Sequence, residues 1–327
     1  MTWTDRRVLV TGAGGFLGSA VVEALAAQGA AVTCLLRDRA APGALVHLPP
    51  RLRDGLAFAE ADITRPEGLA ALVEGHEAVL HLAALVGVPY SFLRPVEVAR
   101  TTALGTVAVL EACRRAGVAR VVCLSTAEVY GRPQASPINE THPLGSTSPY
   151  GASKIAADQF AAAWHRGFGL PVAVLRAFNT FGPRQSARAV VPTIITQALK
   201  GGAVRLGAVS PTRDMCFVAD TAAAILLAAA VPEAAGRVFN IGTGRSVSIG
   251  GIAERIFALL GRAPEIVTEE KRLRGEPEGG PPVVADASLA RRVLGWEPRL
   301  SLDEGLARTI DWIRAHPGFF TSDEYQV

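Results

Sequence analysis

The segment VLVTGAGGFLG, residues 8 to 18, carries the most structural information in the 327-residue chain. A short apolar run leads into a G-x-x-G-x-x-G triplet, and a helical pattern follows. Glycines permit a tight turn, and their missing side chains let a pyrophosphate approach the backbone. Free N–H groups and the helix dipole favour the same anion. Although a plain tight turn would also use glycine, the flanking strand and helix predict dinucleotide binding. The cofactor contacts predicted in this turn are Gly12, Gly15, Phe16, Leu17 and Gly18.

Beyond this segment, short β-branched runs alternate with Ala- and Leu-rich helical patterns. Strands are predicted at Arg7–Thr11, Ala31–Leu36, Leu56–Ala59, Ala78–Leu82, Val118–Ser125 and Val172–Phe178. Helices are predicted at Phe16–Gln28, Leu69–Val73, Pro95–Ala116, Tyr150–Phe168, Val191–Lys200, Asp220–Ala230 and Ser248–Leu260. Such alternation implies parallel strands joined by helical crossovers, and near-continuous apolar strands fit a sheet covered on both faces. We therefore predict an α/β fold, a Rossmann doubly wound parallel sheet with a smaller C-terminal substrate lobe.

The pattern changes after Phe178, where prolines and glycines become frequent and helices are interspersed with short strands. We predict that residues 1–178, with parts of 214–245, form the dinucleotide-binding domain. Residues 179–213 and 246–327 are assigned to the smaller lobe, which completes a cleft.

The composition excludes several classes of protein. Hydrophobic residues make up 49% of the chain and charged residues 19%, which is typical of a globular protein. The formal charge of +3, without a Lys/Arg block, argues against nucleic acid as a partner. The longest apolar run is too short to cross a bilayer and no signal stretch is present, so we expect no membrane contact and a cytoplasmic location. Four cysteines without metal-ligand spacing predict buried, reduced thiols and no metal site.

The end of the second predicted strand is where an acidic residue would hydrogen-bond the ribose of NAD, about 20 residues beyond the glycines. Leu36 occupies that position and is followed by Arg37 and Asp38. Arg37 would suit the 2′-phosphate of NADP, but it is equally consistent with a solvated loop arginine. We expect NAD as the cofactor and keep NADP as the alternative.

Tyr150 and Lys154 have the spacing of a catalytic pair. Ser148 is a good N-cap and Pro149 a good first helical residue, and a helix starting there places the pair on one face. An ammonium beside a phenol is expected to lower the pKa of the phenol, which can then take a proton from a hydroxyl whose carbon gives up hydride. Because Y-x-x-x-K often occurs by chance, the alternative is a surface helical pair, and the upstream glycine turn favours the catalytic interpretation.

Thr126 and Glu128 follow the fifth predicted strand, whose carboxyl end is expected to line the ligand crevice. Thr126 can hydrogen-bond the reacting hydroxyl. Glu128 brings a carboxylate that can take a proton from a carbon next to a carbonyl. The alternative for Glu128 is a capping or solvent-facing role.

Five motifs occur along the chain in the order TGAGGFLG, HLAA, STAEVYG, SPYGASK and LRAFNTFGPRQ. On these motifs the chain, up to about Trp312, resembles the epimerases and dehydratases that form the nucleotide-sugar branch of the extended short-chain dehydrogenase/reductases. Residues 188–197, 210–220 and 239–250 are especially similar to bacterial 4,6-dehydratases acting on nucleotide-linked N-acetylhexosamines. Nucleotide-glucuronate decarboxylases are also similar.

The resemblance implies a role for each matching residue. Thr126, Tyr150 and Lys154 would be the catalytic triad, and the last two would also contact the cofactor. Glu128 would be the base acting at sugar C5. Further cofactor contacts implied by the resemblance are Arg37, Asp62, Ile63, Leu82, Ala83 and Ala84. The implied substrate contacts are Thr126, Asn179, Arg213 and Arg274.

Arg213 suits a diphosphate because its guanidinium fork matches the phosphate oxygens. The alternative is an ion pair with Asp214 or Asp220. The smaller lobe would then be the binding lobe for a nucleotide-activated sugar.

The resemblance also implies a homodimer. Ala- and Leu-rich stripes on Val98–Arg115 and Tyr150–Phe168 are wider than one core-facing side requires. Such helices often form a dimer interface in the family. The alternative is that both helices are wholly intramolecular.

Three positions depart from the family pattern. Ala127 stands where glucose-type dehydratases carry the aspartic acid that protonates the departing C6 hydroxyl, so Glu128 or a water must serve, or no elimination takes place. Thr102 stands where an asparagine is usual. Pro281 and Pro282 fall where related enzymes often carry an arginine for the diphosphate.

A transient 4-ketone allows three outcomes, which we rank as 4,6-dehydration, decarboxylation of a glucuronate, and 4-epimerisation. Glu128 is needed for the first, plausible in the second and unnecessary in the third. A non-catalytic dinucleotide-binding module on the same fold is the alternative from another class, since fold alone does not determine function.

Overall fold

Seven parallel strands form the central sheet of the computed structural model, which describes residues 2–272 and 281–320. In chain order the strands are β1 (Arg7–Thr11), β2 (Ala31–Leu36), β3 (Ala57–Glu60), β4 (Ala78–His81), β5 (Arg120–Thr126), β6 (Val172–Ala177), β7 (Asn179–Phe181), β8 (Val204–Leu206), β9 (Thr212–Arg213), β10 (Met215–Phe217), β11 (Val238–Ile241), β12 (Val247–Ser248) and β13 (Ile266–Thr268). The α-helices are α1 (Phe16–Ala26), α2 (Pro50–Arg53), α3 (Leu69–Val73), α4 (Val88–Leu93), α5 (Pro95–Ala99), α6 (Gly105–Ala116), α7 (Pro149–Phe168), α8 (Val190–Lys200), α9 (Val218–Ala230), α10 (Ile249–Leu260), α11 (Ser288–Leu294) and α12 (Leu302–Ala315).

The central sheet has the strand order β3-β2-β1-β4-β5-β6-β11. Strand β1 pairs in parallel with β2 on one side and β4 on the other, so that Thr11 lies opposite both Leu35 and His81. The strand order therefore reverses beside β1, and ligands of doubly wound sheets bind outside the carboxyl ends of the strands at such a point. The predicted α/β fold with a Rossmann doubly wound sheet is confirmed.

Both faces of the sheet are covered by helices. Successive side chains of a strand point to opposite faces. Val8 and Val10 accordingly belong to one apolar cluster with Val21 of α1, whereas Leu9 belongs to a second cluster with Leu110 of α6. This two-sided burial explains why the strands are almost continuously apolar.

The C-terminal lobe contains three small strand pairs beside the carboxyl edge of the sheet. Strand β7 pairs in parallel with β10, β8 pairs in parallel with β13, and β9 pairs in antiparallel with β12. Helix α8 packs against α10 and α12. Strand β11 pairs with β6 and extends the central sheet. The domain boundaries derived from the sequence stay a prediction.

The predicted helix at 95–116 is interrupted in the structure. It consists of α5, a π-helical turn at Arg100–Leu104, and α6. A Cβ on Gly105 would lie 2.7 Å from Cδ1 of Ile63, so the glycine lets the helix backbone approach the loop after β3. A hydrophobic period does not reveal one extra residue per turn. Helices α2 and α4 were not predicted because they are too short to show a period.

None of the described helices is both long and apolar enough to cross a membrane. The four cysteines are buried and free. Within residues 2–272 and 281–320, no group of three or more His, Cys, Asp or Glu side chains is placed to hold a metal ion. The cytoplasmic location stays a prediction.

Candidate active site

A cleft of about 2200 Å³ runs along the carboxyl ends of the central strands and is closed by the C-terminal lobe. Most of the site residues predicted from the sequence line it. These are Gly12, Gly15, Phe16, Leu17, Gly18, Arg37, Asp62, Ile63, Leu82, Ala83, Ala84, Thr126, Glu128, Tyr150, Asn179 and Arg213. Lys154 lies behind this wall and is 5% exposed. Arg274 lies outside the described residues.

The glycine turn fits a dinucleotide. Gly12 has φ +68°, and a Cβ there would lie 2.7 Å from the backbone nitrogen of Ala83. A Cβ on Gly18 would overlap the carbonyl oxygen of Gly12. No side chain caps the start of α1, where Gly15, Phe16 and Leu17 line the cleft, which leaves the first N–H groups of the helix available to a pyrophosphate.

A buried hydrogen-bond chain, which sequence reasoning missed, fixes the wall opposite the glycine turn. The Ala83 N–H donates to the Thr11 hydroxyl (3.2 Å), and that hydroxyl is 2.8 Å from Nδ1 of His81. His81 Nε2 is 3.0 Å from the Thr106 hydroxyl, which itself donates to the Thr102 carbonyl at 2.6 Å.

The directions of these hydrogen bonds determine which ring nitrogen of His81 carries the proton. Thr106 uses its proton on the Thr102 carbonyl, so His81 must donate from Nε2 and accept at Nδ1. Burial lowers the pKa of His81 to about 3, and the ring is therefore neutral. The HLAA motif contained this histidine, but its partners lie on β1 and α6, which no local pattern reveals.

Tyr150 enters the cleft from the first turn of α7. The Ser148 hydroxyl accepts a hydrogen bond from the Gly151 N–H (3.1 Å), and Pro149 occupies the first helical position. Tyr150 is 7% exposed. The Thr126 side chain, at the end of β5, lies close enough to the phenol to influence its pKa.

The pKa of Tyr150 is raised above its ordinary value, mainly by burial and next by the charge of Glu128, while the Thr126 side chain opposes the rise. The expectation that Lys154 lowers this pKa is therefore wrong for the chain alone. The physical reason is that the Lys154 ammonium donates to the Leu124 carbonyl at 2.7 Å and does not offset the loss of water around the phenol.

Lys154 is a buried cation. Burial lowers its pKa to about 8, and the carboxylate of Asp158, one turn further along α7, works in the opposite direction. Asp158 accepts a hydrogen bond from Nε of Arg176 at 2.9 Å. Arg176 also donates to the Tyr130 hydroxyl (3.0 Å), which donates to Asn240 Oδ1 (2.6 Å). This network ties α7 to β6 and β11 below the helix turn that carries Tyr150, and no local pattern of residues predicts it.

Glu128 follows the end of β5, two residues after Thr126. Its backbone N–H donates to the Thr126 hydroxyl at 3.2 Å, and its exposed side chain lines the cleft near Tyr150. Ala127 lines the same part of the cleft and has no proton to give. A carboxylate, a phenol and a hydroxyl therefore share one wall.

The adenosine side of the cleft lies at the ends of β2 and β3. Leu36 is buried, and Arg37 and Asp38 both line the cleft. Asp62 accepts two hydrogen bonds from Thr64, each 2.8 Å long. These bonds, with a smaller contribution from Arg37, hold the pKa of Asp62 below its usual range.

The substrate side is formed by β7 and β9. Asn179 pairs with Met215 in register, and the Arg213 side chain donates to the Thr212 carbonyl at 2.8 Å. Asp214, the alternative partner of Arg213, is fully buried and accepts hydrogen bonds instead from the backbone at Thr243, Gly244 and Ala285. Pro281 and Pro282 line the same end of the cleft.

The family model "GDP-mannose 4,6 dehydratase" matches residues 9–309. The chain is 35% identical to a UDP-glucose 4-epimerase of Mycolicibacterium smegmatis, over 94% of this chain and 98% of that protein. It is 33% identical to a dTDP-glucose 4,6-dehydratase of Streptomyces niveus, over 94% and 93%. The crystal structure of DesIV, a dTDP-glucose 4,6-dehydratase from Streptomyces venezuelae with NAD bound, superposes with a TM-score of 0.84 at 32% identity, covering 96% of this chain and 99% of that one.

Proposed function

The chain belongs to the GDP-mannose 4,6-dehydratase family, within the extended short-chain dehydrogenase/reductases that modify nucleotide sugars, and on this premise we propose that it is a nucleotide-hexose 4,6-dehydratase. Membership makes the chain an enzyme and NAD its cofactor, and the alternative of a non-catalytic binding module is set aside. The observation that supports dehydration is the carboxylate of Glu128 on the cleft wall that carries Thr126 and Tyr150.

The first step takes place at the sugar O4. Thr126 and Tyr150 line the same cleft, so a sugar hydroxyl that reaches them meets a hydrogen-bonding partner and a base together. Tyr150 takes the O4 proton, and NAD, when bound, supplies the acceptor and later the donor of hydride. In the chain alone Lys154 does not offset the burial that raises the pKa of Tyr150, so the phenolate would form once bound NAD adds its positive nicotinamide ring to the charge of Lys154.

The second step takes place at C5 and C6. A ketone at C4 acidifies the neighbouring C5–H, and Glu128 takes that proton. The C6–O bond then breaks and the hydroxyl leaves as water. Its proton comes from Glu128 or from solvent, because Ala127 has none. Hydride returns to C6 while a proton from Glu128 or from solvent is added at C5, and the 4-keto-6-deoxy sugar forms without net oxidation.

Arg213 and Asn179 are proposed to hold the nucleotide diphosphate, since both line the cleft on its substrate side. Arg274 is proposed for the same role, in a part of the chain outside the described residues. Fixing the diphosphate orients the sugar towards Tyr150 and Glu128.

Ala127 favours a second candidate function, 4-epimerisation. An epimerase needs no acid at C6, because the 4-ketone turns within the site and hydride returns to its other face. A substrate with a C6 carboxylate would instead allow decarboxylation of the 4-ketone. All three reactions share the Tyr150 step and differ in their need for Glu128.

The product of a nucleotide-sugar incubation tests the proposal. Purified protein with UDP-glucose, dTDP-glucose, UDP-N-acetylglucosamine or UDP-glucuronate is expected to convert at least one of the first three to a product lighter by one water. Mass spectrometry detects the loss, and absorption in alkali detects the 4-ketone. An unchanged mass with an inverted C4 by NMR would instead assign an epimerase, and loss of carbon dioxide from UDP-glucuronate would assign a decarboxylase.

We also propose that the enzyme is a homodimer. Five large apolar side chains are 58–72% exposed on α4, α5, the π-helical turn and the end of α7. They are Phe92, Leu93, Val96, Leu104 and Phe168. Exposed apolar patches on soluble proteins mark contact surfaces, and a second copy would cover this one with the same residues.

Light scattering after gel filtration is expected to give twice the mass of the chain. Val96→Glu places a charge on the most exposed of these five side chains and is expected to give a monomer. Leu259→Glu, an equally drastic change at an exposed apolar residue of α10, is the matched control and should stay dimeric. A monomer for the unchanged protein at working concentration would reject the dimer.

A further inference from the structure

A short segment after β2, residues 41–47, lies directly against the glycine turn. The Ala44 N–H donates to the Gly14 carbonyl at 2.8 Å. A Cβ on Gly14 would lie 2.8 Å from the carbonyl oxygen of Pro42, and a Cβ on Gly43, which has φ +61°, would overlap the Gly14 carbonyl oxygen. The two backbones therefore touch without room for a side chain on either.

The 41–47 segment forms part of the adenosine side of the cleft. Ala41 and Gly43 line it, next to Gly14 and the ends of β2 and β3. In doubly wound folds this half of the site receives the pyrophosphate and the adenosine ribose. A shift of the 41–47 segment would thus change the shape of the site that holds the dinucleotide, without touching the residues that act on the sugar.

Two anchors hold the 41–47 segment in place. Leu45 is fully buried in the main apolar cluster. The ring of His47 meets three rings from the other end of the chain, edge to face. Its ring centroid is 5.6 Å from Trp312, 5.2 Å from His316 and 5.1 Å from Phe319.

The surroundings of the His47 ring disfavour its charged form. Burial, the neighbouring His316 and the charge of Arg184 all lower the pKa of His47. Trp312 stacks on His316 with the ring centroids 4.3 Å apart, which fixes the surface that His47 meets. Edge-to-face contacts of this geometry stabilise aromatic pairs beyond the apolar area that they bury.

Trp312 lies on α12, and α12 is built into the substrate side of the molecule. A Cβ on Gly305 of this helix would lie 2.7 Å from the ring of Phe181 on β7 and 2.9 Å from that of Phe217 on β10. Strand β7 carries Asn179 into the cleft. The contact between His47 and Trp312 therefore links the lobe for the sugar to the turn for the cofactor.

We propose that His47 and Trp312 are positioning residues for NAD: their contact holds the 41–47 segment against Gly14 and so slows the escape of the cofactor. Retention matters for an enzyme whose reaction takes hydride from a sugar and returns it to the same sugar. The inference rests on the use of NAD by this family and holds for a dehydratase and an epimerase alike.

The rate of NAD release measures this role directly. The holoenzyme is diluted into a coupling dehydrogenase that reduces every NAD molecule set free, and the fluorescence of the NADH formed is followed. His47→Ala and Trp312→Ala are each expected to release NAD about tenfold faster, because each loses most of the aromatic contact. The double variant is expected to be no faster than the faster single variant, because both changes remove the same contact.

Two further variants separate positioning from a general loss of stability. Val46→Ala, in the same segment but with a side chain 46% exposed, should release NAD at the original rate. His47→Phe keeps a ring and should retain the cofactor. Equal release rates in His47→Ala and the unchanged protein would overturn the proposal, as would acceleration by Val46→Ala. If His47→Ala does not fold, the proposal is overturned when Trp312→Phe, which keeps an aromatic ring, and Trp312→Ala, which has none, release NAD equally fast. Since no sugar is added, these results do not depend on which product the enzyme forms.

Discussion

Tyr150→Phe is expected to lower kcat by about a thousandfold and to leave NAD in its site. The change removes one oxygen from a side chain that is 7% exposed and otherwise packs as before. Thr126 keeps its place at the end of β5, because its hydroxyl also accepts from the Glu128 N–H. The variant loses the group that takes the O4 proton, so the loss is expected before any ketone forms.

A single-turnover experiment locates the loss. With the best nucleotide sugar in excess, the unchanged enzyme should show transient NADH absorbance, and Tyr150→Phe should show none. Ser153→Ala is the matched control, because it removes a hydroxyl that bonds only the Pro149 carbonyl on the same helix and should keep the transient. Normal turnover by Tyr150→Phe would remove this residue from the role of base.

The fold could be predicted because each main strand, and the turn after β1, is marked by the residues of that element itself. Strands β1 and β2 begin and end at the predicted residues, since a strand buried on both faces is marked by its own apolar run. The glycine triplet located the turn between β1 and α1, because strand, turn and helix follow one another within eleven residues. The π-helical turn at Arg100–Leu104 escaped prediction, because the packing around Gly105 involves Ile63, some forty positions earlier.

The sequence predicts which residues line the candidate site better than it predicts their pKa values and hydrogen-bond partners. Thr126, Glu128 and Tyr150 line one cleft, as the strand ends and the helix spacing suggested. The predicted direction of the Tyr150 pKa shift was wrong, because burial raises this pKa and the burial of a side chain depends on the assembled fold. His81, Arg176 and the Gly14–Gly43 contact were missed for the same reason, since each acts through a partner on a distant element.

Glu128→Gln is expected to separate the two halves of the reaction. The amide keeps the size of the side chain but cannot take the C5 proton, so the sugar is oxidised at C4 and elimination stops. Bound NADH is expected to accumulate, and formation of the dehydrated product should fall by at least about a hundredfold. Stopped-flow absorbance follows the reduction, and mass spectrometry follows the product.

Glu128→Gln is also expected to shift the pH dependence of cofactor reduction in a defined direction. The charge of Glu128 raises the pKa of Tyr150, so its removal should lower that pKa. The phenolate then forms at lower pH, and the pH at which cofactor reduction reaches half its maximal rate should move downward. Glu97→Gln removes another carboxylate of the cleft, one that bonds the Tyr90 hydroxyl at 3.0 Å, and should leave both elimination and the pH profile unchanged. Full turnover by Glu128→Gln, with reduction and reoxidation both intact, would remove Glu128 from the role of C5 base, and a product of unchanged mass would then assign the enzyme to 4-epimerisation.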